Sequence, residues 1–581
     1  MKDYPKEQQQ KESGPHTEVD RTELNRTEVN AILSREGIDP GLSAWVLNKV
    51  RDLDRNNSGG GKEGDFTGLP ELQRPEPGKP CPWSASSPSE GGNGSPSRQI
   101  MDISRPRDGY MDISVSRLHS RIDAFHLPPA LAERLKTELS VSESPDTGES
   151  VKSNEEVIRL DAGKIRLFGL ALLPRVSYGV LNGGSATSYA DEKKNNEFHS
   201  ELFRLYRSRF ESQAELCRGK AKGITPAYLN PDGTPGFSFM EMKIRAALLL
   251  ALEHYRIFPE SRESTSRDWG LPLFPLFQMT SSGNDREIRD ALDSYARSPA
   301  VAPLLHRLQL DAIPVKTGVQ PLIAAMEHSE RLSPDHPREY FLEAWGEANR
   351  ALALPGGHGQ NFFALEEVYT NLHSKGKRYA YLGNVDNLAY LPDPLEIGLA
   401  ALSGAPAGFD FSFKTDVDVK GGVLLQTSGG GLSCGDIGPA VSRATVEAVE
   451  QEGKAILFNC ATGLFDLDYL CRELKHIQEA LPLRVSDQDK DAGRYSQAEQ
   501  VTWEVMSLID GFIAFGVDKF QRFLAGKLLV ENLLTSGLLL EDPDFPQDLK
   551  HTGERLNRGF EDLMKSSCGM ELKNGRWQAA D

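Results

Sequence analysis

Four turns in this 581-residue chain carry residue types suited to a phosphorylated ligand. Leu181-Asn182-Gly183-Gly184-Ser185-Ala186-Thr187-Ser188 follows an apolar run. Its two glycines let the backbone approach a ligand, and bare N–H groups there can hold a base or phosphate oxygens; a plain tight turn would use the same residues. No G-K-[ST] follows and G-x-G-x-x-G is absent, so this is neither a Walker A loop nor a dinucleotide turn. Pro355-Gly356-Gly357-His358-Gly359-Gln360 sets one His among small residues where a helix begins, a place for an anion or a base edge, or for a structural His. Gly383-Asn384-Val385-Asp386-Asn387 ends another apolar run. A carboxylate there, flanked by amides, can hold Mg²⁺ on a triphosphate, or simply close an Asp–Asn turn. Lys414-Thr415 and Asp418-Val419-Lys420-Gly421-Gly422 add two cations beside a strand, solvated lysines being the ordinary alternative.

A fifth motif points elsewhere. Gly431-Leu432-Ser433-Cys434-Gly435 matches the G-x-S-x-G nucleophile elbow, with Asp542 and His551 downstream in a permitted order. The elbow needs Ser at a strand tip with a helix starting at once. Here the strand stops near Gln426, a Gly triplet follows and Pro439 postpones the helix, so Ser433 is a poor nucleophile.

These turns need a scaffold. From about Val157 short apolar runs alternate with amphipathic stretches: Ser177–Leu181, Leu273–Met279, Tyr379–Leu382, Val423–Gln426 and Ala455–Phe458 read as buried strands. Phe239–His254 and Phe363–Ser374 read as helices, the second closed by Gly376, and Phe198, Leu202, Leu205, Tyr206 and Phe210 fall at helical spacing. The expected class is α/β, a parallel or mixed sheet with ligands at the carboxyl ends of its strands.

Before that point the composition changes. Arg55–Arg98 holds 9 Gly, 7 Pro and 7 Ser, too little apolar surface to offset ordering entropy. Short helices are expected on either side, over Asn30–Leu53 (split by Gly37 and Pro40) and Pro129–Leu139. The repeat Met101-Asp102-Ile103-Ser104 and Met111-Asp112-Ile113-Ser114 reads as linker rather than docking peptide. The expected organisation is a mostly disordered region over 1–155, a catalytic domain over 156–530 and a short helical segment over 531–581.

Lys plus Arg number 66 against 84 Asp plus Glu, a net charge of −18 that argues against nucleic acid as a partner. The six cysteines form no C-x-x-C, the N-terminus lacks a signal-peptide core, and Ala246–Leu252 is far short of the roughly 20 residues that span a bilayer. A soluble, reduced, cytoplasmic protein without a membrane partner is expected.

Taken in order, the turns resemble the UDP-sugar pyrophosphorylase family, nearest the eukaryotic-type UTP–glucose-1-phosphate uridylyltransferases. Leu181-Asn182-Gly183-Gly184 with Thr187-Ser188 resembles its L-N-G-G-x-G-T-S loop, and Lys222-Gly223 the K-G that follows. Met279-Thr280-Ser281 resembles M-T-S, Gly357-His358-Gly359 the end of P-G-H-G, and Asn384-Val385-Asp386-Asn387-Leu388 the motif N-I-D-N-L. Lys414-Thr415 through Val419-Lys420-Gly421-Gly422 has the spacing K-T-x-x-x-V-K-G-G. Phe458-Asn459, Gln497-Ala498-Glu499 and Arg522-Phe523-Leu524 with Lys527 resemble F-N, Q-L-E and R-F-L-P-V-K. Gln309 falls near the family's base-contacting Gln, with Gln320 a second candidate. The likeness covers roughly residues 175 to 530.

The resemblance implies a Rossmann-like, GT-A-like nucleotidyltransferase fold, a mixed sheet flanked by helices, and the reaction UTP + sugar 1-phosphate ⇌ UDP-sugar + pyrophosphate. It implies that the backbone at Gly183, Gly184 and Thr187 holds uracil and the α-phosphate, with Met279 and Gln309 bounding the base. Asp386, beside Asn387, would hold Mg²⁺. Lys222 and Lys527, with Lys414 a further candidate, would neutralise phosphate charge. Gly357 and His358 would orient the nucleotide or sugar phosphate, and Asn459 and Glu499 would meet sugar hydroxyls. Several positions depart from the pattern: Ala186 and Ala190 replace loop glycines, Thr225 replaces a second Lys, and roughly 30 extra residues, Asp191–Lys220, precede Lys222. Their lysines, Lys193, Lys194 and Lys220, are substitutes for that Lys or surface residues. UDP-glucose is the first expected product. UDP-N-acetylglucosamine synthesis and a catalytically degenerate nucleotide-sugar-binding protein are the alternatives.

Overall fold

The computed structural model describes residues 24–57, 66–70, 99–104, 111–141, 156–261, 276–333, 335–415, 417–418, 421–428, 431–509 and 511–580. Val419 and Lys420, and most of the Gly/Pro/Ser-rich stretch, lie outside them. The chain forms two units, residues 1–51, 322–354 and 486–497 in one and the remainder in the other.

The larger unit is built on an 11-stranded sheet. Its main path uses β1 (Gln99–Asp102), β2 (Val176–Leu181), β3 (Leu276–Ser281), β4 (Val315–Gln320), β5 (Tyr379–Asn384), β6 (Ala407–Phe413), β7 (Leu457–Asp466) and β8 (Ile513–Val517). Their spatial order is β1-β8-β6-β7-β5-β2-β3-β4. β7 runs antiparallel to β5 and β6, and the other neighbours on this path are parallel. A hairpin, Gly422–Thr427 and Leu432–Asp436, joins β7 through Val423 and Phe458.

Helices cover both faces, which is why the strands read as unbroken apolar runs. Along β5, Tyr379 and Tyr381 enter one buried cluster with Tyr178 and Val180, while Ala380 and Leu382 enter another with Phe277 and Phe409. The first face holds helices Ala162–Ala171, Phe239–Ile257 and Pro394–Ser403; the second holds Glu366–Ser374 and Leu467–Ala480. The mixed α/β sheet flanked by helices is therefore as expected.

The ends of the chain differ from expectation. Gln99–Asp102, which ends in the first half of the first repeated tetrapeptide, is the sheet's edge strand beside β8, and Met101 is fully buried. The second copy, Met111–Ser114, pairs with Val157–Leu160. Helices Val115–Asp123 and Pro129–Ser140 bury Leu118, Ile122, Leu135 and Leu139 in the same core, so residues 99–104 and 111–141 belong to the folded unit, not to a tail. At the other end, helices Leu529–Thr535 and Gln547–Asp562 are followed by a hairpin, Met570–Lys573 with Arg576–Ala579. Asn574 and Gly575 both take positive φ, 52° and 75°, the type I′ geometry that an Asn-Gly pair favours. The last 50 residues are thus not simply helical, and Met564, Met570 and Trp577 pack into the main core.

The smaller unit combines helix Arg26–Arg35, capped by Asn25 and Glu28, with short strands at Leu322–Ala324 and Met326–Glu327. Ile32, Leu33, Ile38, Ala324 and Ala351 form one of its buried clusters. Among the described residues no helix is long and apolar enough to cross a membrane.

Helices Ala162–Ala171 and Pro394–Ser403 cross at glycines. A Cβ on Gly169 would lie 1.7 Å from the Pro394 carbonyl oxygen, and one on Gly398 would lie 2.2 Å from that of Ile165. Both neighbours are backbone, so neither can yield alone. Gly398→Ala is expected to destabilise the fold by about 1–3 kcal/mol, read as a lowered thermal midpoint.

Candidate functional site

The chain passes from β2 through β3 to β4 on one side and places β5 on the other side of β2, with Leu181 and Asn384 level at the strand ends. This reversal opens a crevice outside the carboxyl ends of the strands, where α/β folds bind ligands.

Beneath the Gly-Gly turn lies a ladder of side-chain amides. Asn182 Nδ2 donates to Gln278 Oε1 at 3.1 Å, and Gln278 Nε2 donates to Thr317 Oγ1 at 3.1 Å, crossing β2, β3 and β4. Asn284 Nδ2 donates to the Gly183 carbonyl at 3.0 Å. Gly223 is required by this floor, since a Cβ there would sit 2.1 Å from Asn182 Oδ1. The turn then pairs with the segment before Lys222: the Ala186 N–H donates to the Lys220 carbonyl and the Lys222 N–H to that of Gly184. Ala186 is buried and its amide is spent on that pairing, so it offers no donor to a ligand. Gly184, Ser185, Thr187 and Ser188 are exposed.

Lys222 reaches Asp386 across this turn, Nζ to Oδ2 at 3.3 Å, with its ammonium 4.7 Å from the centre of the Tyr189 ring. Asp386 stands two residues beyond β5. The segment carrying Lys527 is laced to it: the Gly526 N–H donates to the Asp386 carbonyl, the Leu388 N–H to that of Leu524, and Asn387 bridges to Ala525. Burial pushes the Asp386 carboxyl up, but Lys222, Lys527 and Lys243 together outweigh it and hold it below the ordinary carboxylate range.

Lys243 was not singled out from the sequence. It is fully buried on helix Phe239–Ile257 and donates to the carbonyls of Asn387 at 2.5 Å and Tyr390 at 3.1 Å. Burial lowers it to about 7. Its signal, shared with Arg245, was a cation within the apolar stretch of a helix. Arg522 supports the same loop, its carbonyl accepting from Asn387 Nδ2 at 2.9 Å. Its guanidinium donates to the Leu391 carbonyl and meets Asp410 at 3.0 Å and Glu396 at 3.1 Å. Tyr381 donates to Glu396. Two buried carboxyls share one guanidinium, and burial pushes both upward, Glu396 the further.

Across the crevice, Gly357 takes φ +81°, and a Cβ there would lie 2.4 Å from the Gln500 carbonyl oxygen. Gln320 ends β4, level with Ser281, and donates to the Gly357 carbonyl at 2.8 Å and to Gln360 at 2.9 Å. The His358 Nδ1 accepts from the Thr502 N–H at 3.1 Å and lies 2.7 Å from its hydroxyl, so the ring proton is on Nε2. Burial pushes His358 down to about 4 despite the opposing charge of Asp386, and the ring is neutral at pH 7.

Other expected residues lie differently. Gln309 is exposed and caps helix Ala302–Leu308, ahead of β4 and therefore at the opposite end of the sheet from the crevice. Gln320 is the glutamine that the fold brings to the turn. Lys414 is paired at 2.6 Å with Glu450, a side chain of helix Arg443–Gln451. Met279 is buried in the core between Leu181 and Phe277, its carbonyl accepting from the Asn182 N–H. Thr187 bonds to Ser185 at 3.1 Å on the open side of the turn. Asn459 donates to Cys434 Sγ at 3.3 Å and accepts from the Ala461 N–H. Glu499 is half-buried beside Gln500 on strand Gly493–Gln500. Ser433 is buried in mid-strand opposite Leu425, not at a strand tip, so the elbow is excluded.

Residues 340–541 match the UTP–glucose-1-phosphate uridylyltransferase family. That bears out the resemblance carried by the motifs, over a stretch that includes His358, Asp386, Asn387 and Lys527. A probable UTP–glucose-1-phosphate uridylyltransferase of Schizosaccharomyces pombe is 27% identical over 141 residues, 24% of this chain and 26% of that one. UTP–glucose-1-phosphate uridylyltransferase 2 of Dictyostelium discoideum is 36% identical over 77 residues, 13% of this chain and 15% of that one. The matched stretches thus span about a quarter or less of these relatives. Among solved structures, the uridine diphosphate N-acetylglucosamine pyrophosphorylase of Trypanosoma brucei aligns at a TM-score of 0.46 and 16% identity, over 78% of this chain and 82% of that one.

Two measurements test the site's electrostatics. Asp410→Asn removes one of the two carboxyls on the buried Arg522 guanidinium and is expected to cost about 3 kcal/mol or more in urea unfolding at pH 7. His358 binds a proton when unfolded near pH 6.5 but when folded only near 4, so its contribution is full above 6.5 and lost as pH falls toward 4. The urea midpoint of His358→Asn is expected to fall less than that of the unmodified chain across that window.

Proposed function

We propose that this protein transfers a uridylyl group from UTP to a sugar 1-phosphate, glucose 1-phosphate first, forming a UDP-sugar and pyrophosphate. The observation that carries the reading is the ionised Asp386 at the strand-end crevice, with Lys222 at 3.3 Å and Lys527 on the segment laced to it. The match of residues 340–541 supports it.

A sugar-phosphate oxygen attacks the α-phosphorus in line, and the protein's part is position and charge neutralisation. The backbone of Gly183, Gly184 and Thr187 borders the nucleotide, with Gln320 taking the base-facing role first given to Gln309. Lys222 and Lys527 neutralise charge developing on the phosphates. Neutral His358 presents its Nε2 proton to a ligand oxygen. Asn459 and Glu499 are the proposed partners of the sugar hydroxyls.

Asp386 fits Mg²⁺ chemically, being a hard oxygen ligand kept ionised, and Mg²⁺ is commonly held by one or two carboxylates plus substrate phosphates. The ion would neutralise phosphate charge and orient the leaving pyrophosphate. We place the reaction in the cytoplasm, in keeping with five free thiols among the described residues.

The test is pyrophosphate release with UTP, Mg²⁺ and a panel of sugar 1-phosphates that includes N-acetylglucosamine 1-phosphate. Release with glucose 1-phosphate is expected, falling at least about 100-fold in Asp386→Ala. UTP binding without release for any sugar would replace the reading with a nucleotide-binding protein that does no chemistry.

A further inference from the structure

The residues inserted between the Gly-Gly turn and Lys222 form two helices, Glu192–Phe198 and Ser200–Cys217. They are tied firmly to the turn. Asn195, fully buried, donates to the Tyr189 carbonyl at 2.9 Å and accepts from the Val530 N–H at 2.9 Å. Tyr206 donates to the Leu538 carbonyl at 2.7 Å. Phe198 lines the small cavity, about 60 Å³, that Lys527 also lines. The insertion therefore borders the site at both the turn and the Lys527 side.

Its first helix aims one cation at the turn. Lys194 Nζ donates to Ser188 Oγ at 2.8 Å, beside exposed Thr187 and next to Tyr189, on whose ring Lys222 rests. The two lysines flank the turn, Lys222 from the buried side and Lys194 from the open side. Among the described residues no backbone acceptor takes the N–H of Gly184 or Thr187, so the open side offers donors as well as charge. Thr225 cannot add to it: it is fully buried, its hydroxyl donating to the Lys222 carbonyl at 2.7 Å. Neighbouring Lys193 is directed elsewhere, toward Glu197 at 3.9 Å.

We infer that Lys194 is a phosphate-binding residue, supplied by the inserted helix to the phosphate chain of the nucleotide at the Gly183–Ser188 turn. The assignment rests on the proposed UTP-dependent function. On ligand entry the ammonium exchanges its bond to Ser188 for a phosphate oxygen, a charge-assisted contact stronger than the one it leaves.

The experiment is calorimetric titration of the full-length protein and its variants with UTP plus Mg²⁺ and, separately, with uridine. Lys194→Ala is expected to weaken UTP binding about tenfold and to leave uridine binding unchanged. Lys194→Arg should restore most of the loss, and Lys193→Ala should match the unmodified protein. Unmodified protein that binds UTP, with Lys194→Ala equal to it, overturns the assignment while leaving the function standing. Equal losses for UTP and uridine also overturn it, since they report a disturbed turn. Unmodified protein that binds no UTP overturns the function and the assignment together.

Discussion

An ionised carboxylate drawn out of water must be compensated, and around Asp386 the fold gathers its compensation from distant parts of the chain. Lys222 arrives from the connection between β2 and β3, Lys243 from the helix behind the loop, and Lys527 from the segment after β8. The first contact is direct and the others act through the field, yet together they outweigh burial. Removing charges from water costs several kcal/mol each unless partners and hydrogen bonds replace the solvent. Lys243 shows that cost most plainly, since it is held by two carbonyls and, among the described residues, by no carboxylate. In a protein of net charge −18 the useful cations are concentrated rather than abundant.

The sheet explains why those residues can meet. Strand order reverses between β5 and β2, and the loops leaving their carboxyl ends diverge to leave a crevice. Close approach then depends on missing side chains: Gly223 against Asn182, Gly357 against Gln500, Gly169 against Pro394. The buried Arg522 group works from below, its guanidinium paired with Asp410 and Glu396 while its carbonyl fixes Asn387.

Much of this was legible in the sequence, for identifiable reasons. Strands buried on both faces are runs of Val, Leu and Tyr, and β2 and β5 read almost to their ends. The turns that follow them were recognisable because Gly, Asn and Asp recur where the backbone must bend or bind. What escaped depends on contacts far apart in the chain. Gln309 was placed by its position in the resemblance, but β4 begins only at Val315 and delivers Gln320, not Gln309, to its carboxyl end. Lys414 looked available because Glu450 lies 36 positions away. Gln99–Asp102 sits in a polar, proline-rich context and becomes a strand only by borrowing the edge of β8. Asn574-Gly575, by contrast, was a local hairpin signal that went unread.

The amide ladder from Thr317 through Gln278 to Asn182 acts as one unit. Thr317 accepts from Gln278, which in turn obliges Gln278 to accept from Asn182, and Asn182 Oδ1 is left facing Gly223 without a hydrogen-bond donor among the described residues. None of the three can reverse without reversing its neighbours. The floor of the crevice is therefore a coupled network before any ligand arrives. Ordering that would otherwise be charged against binding has already been met by folding.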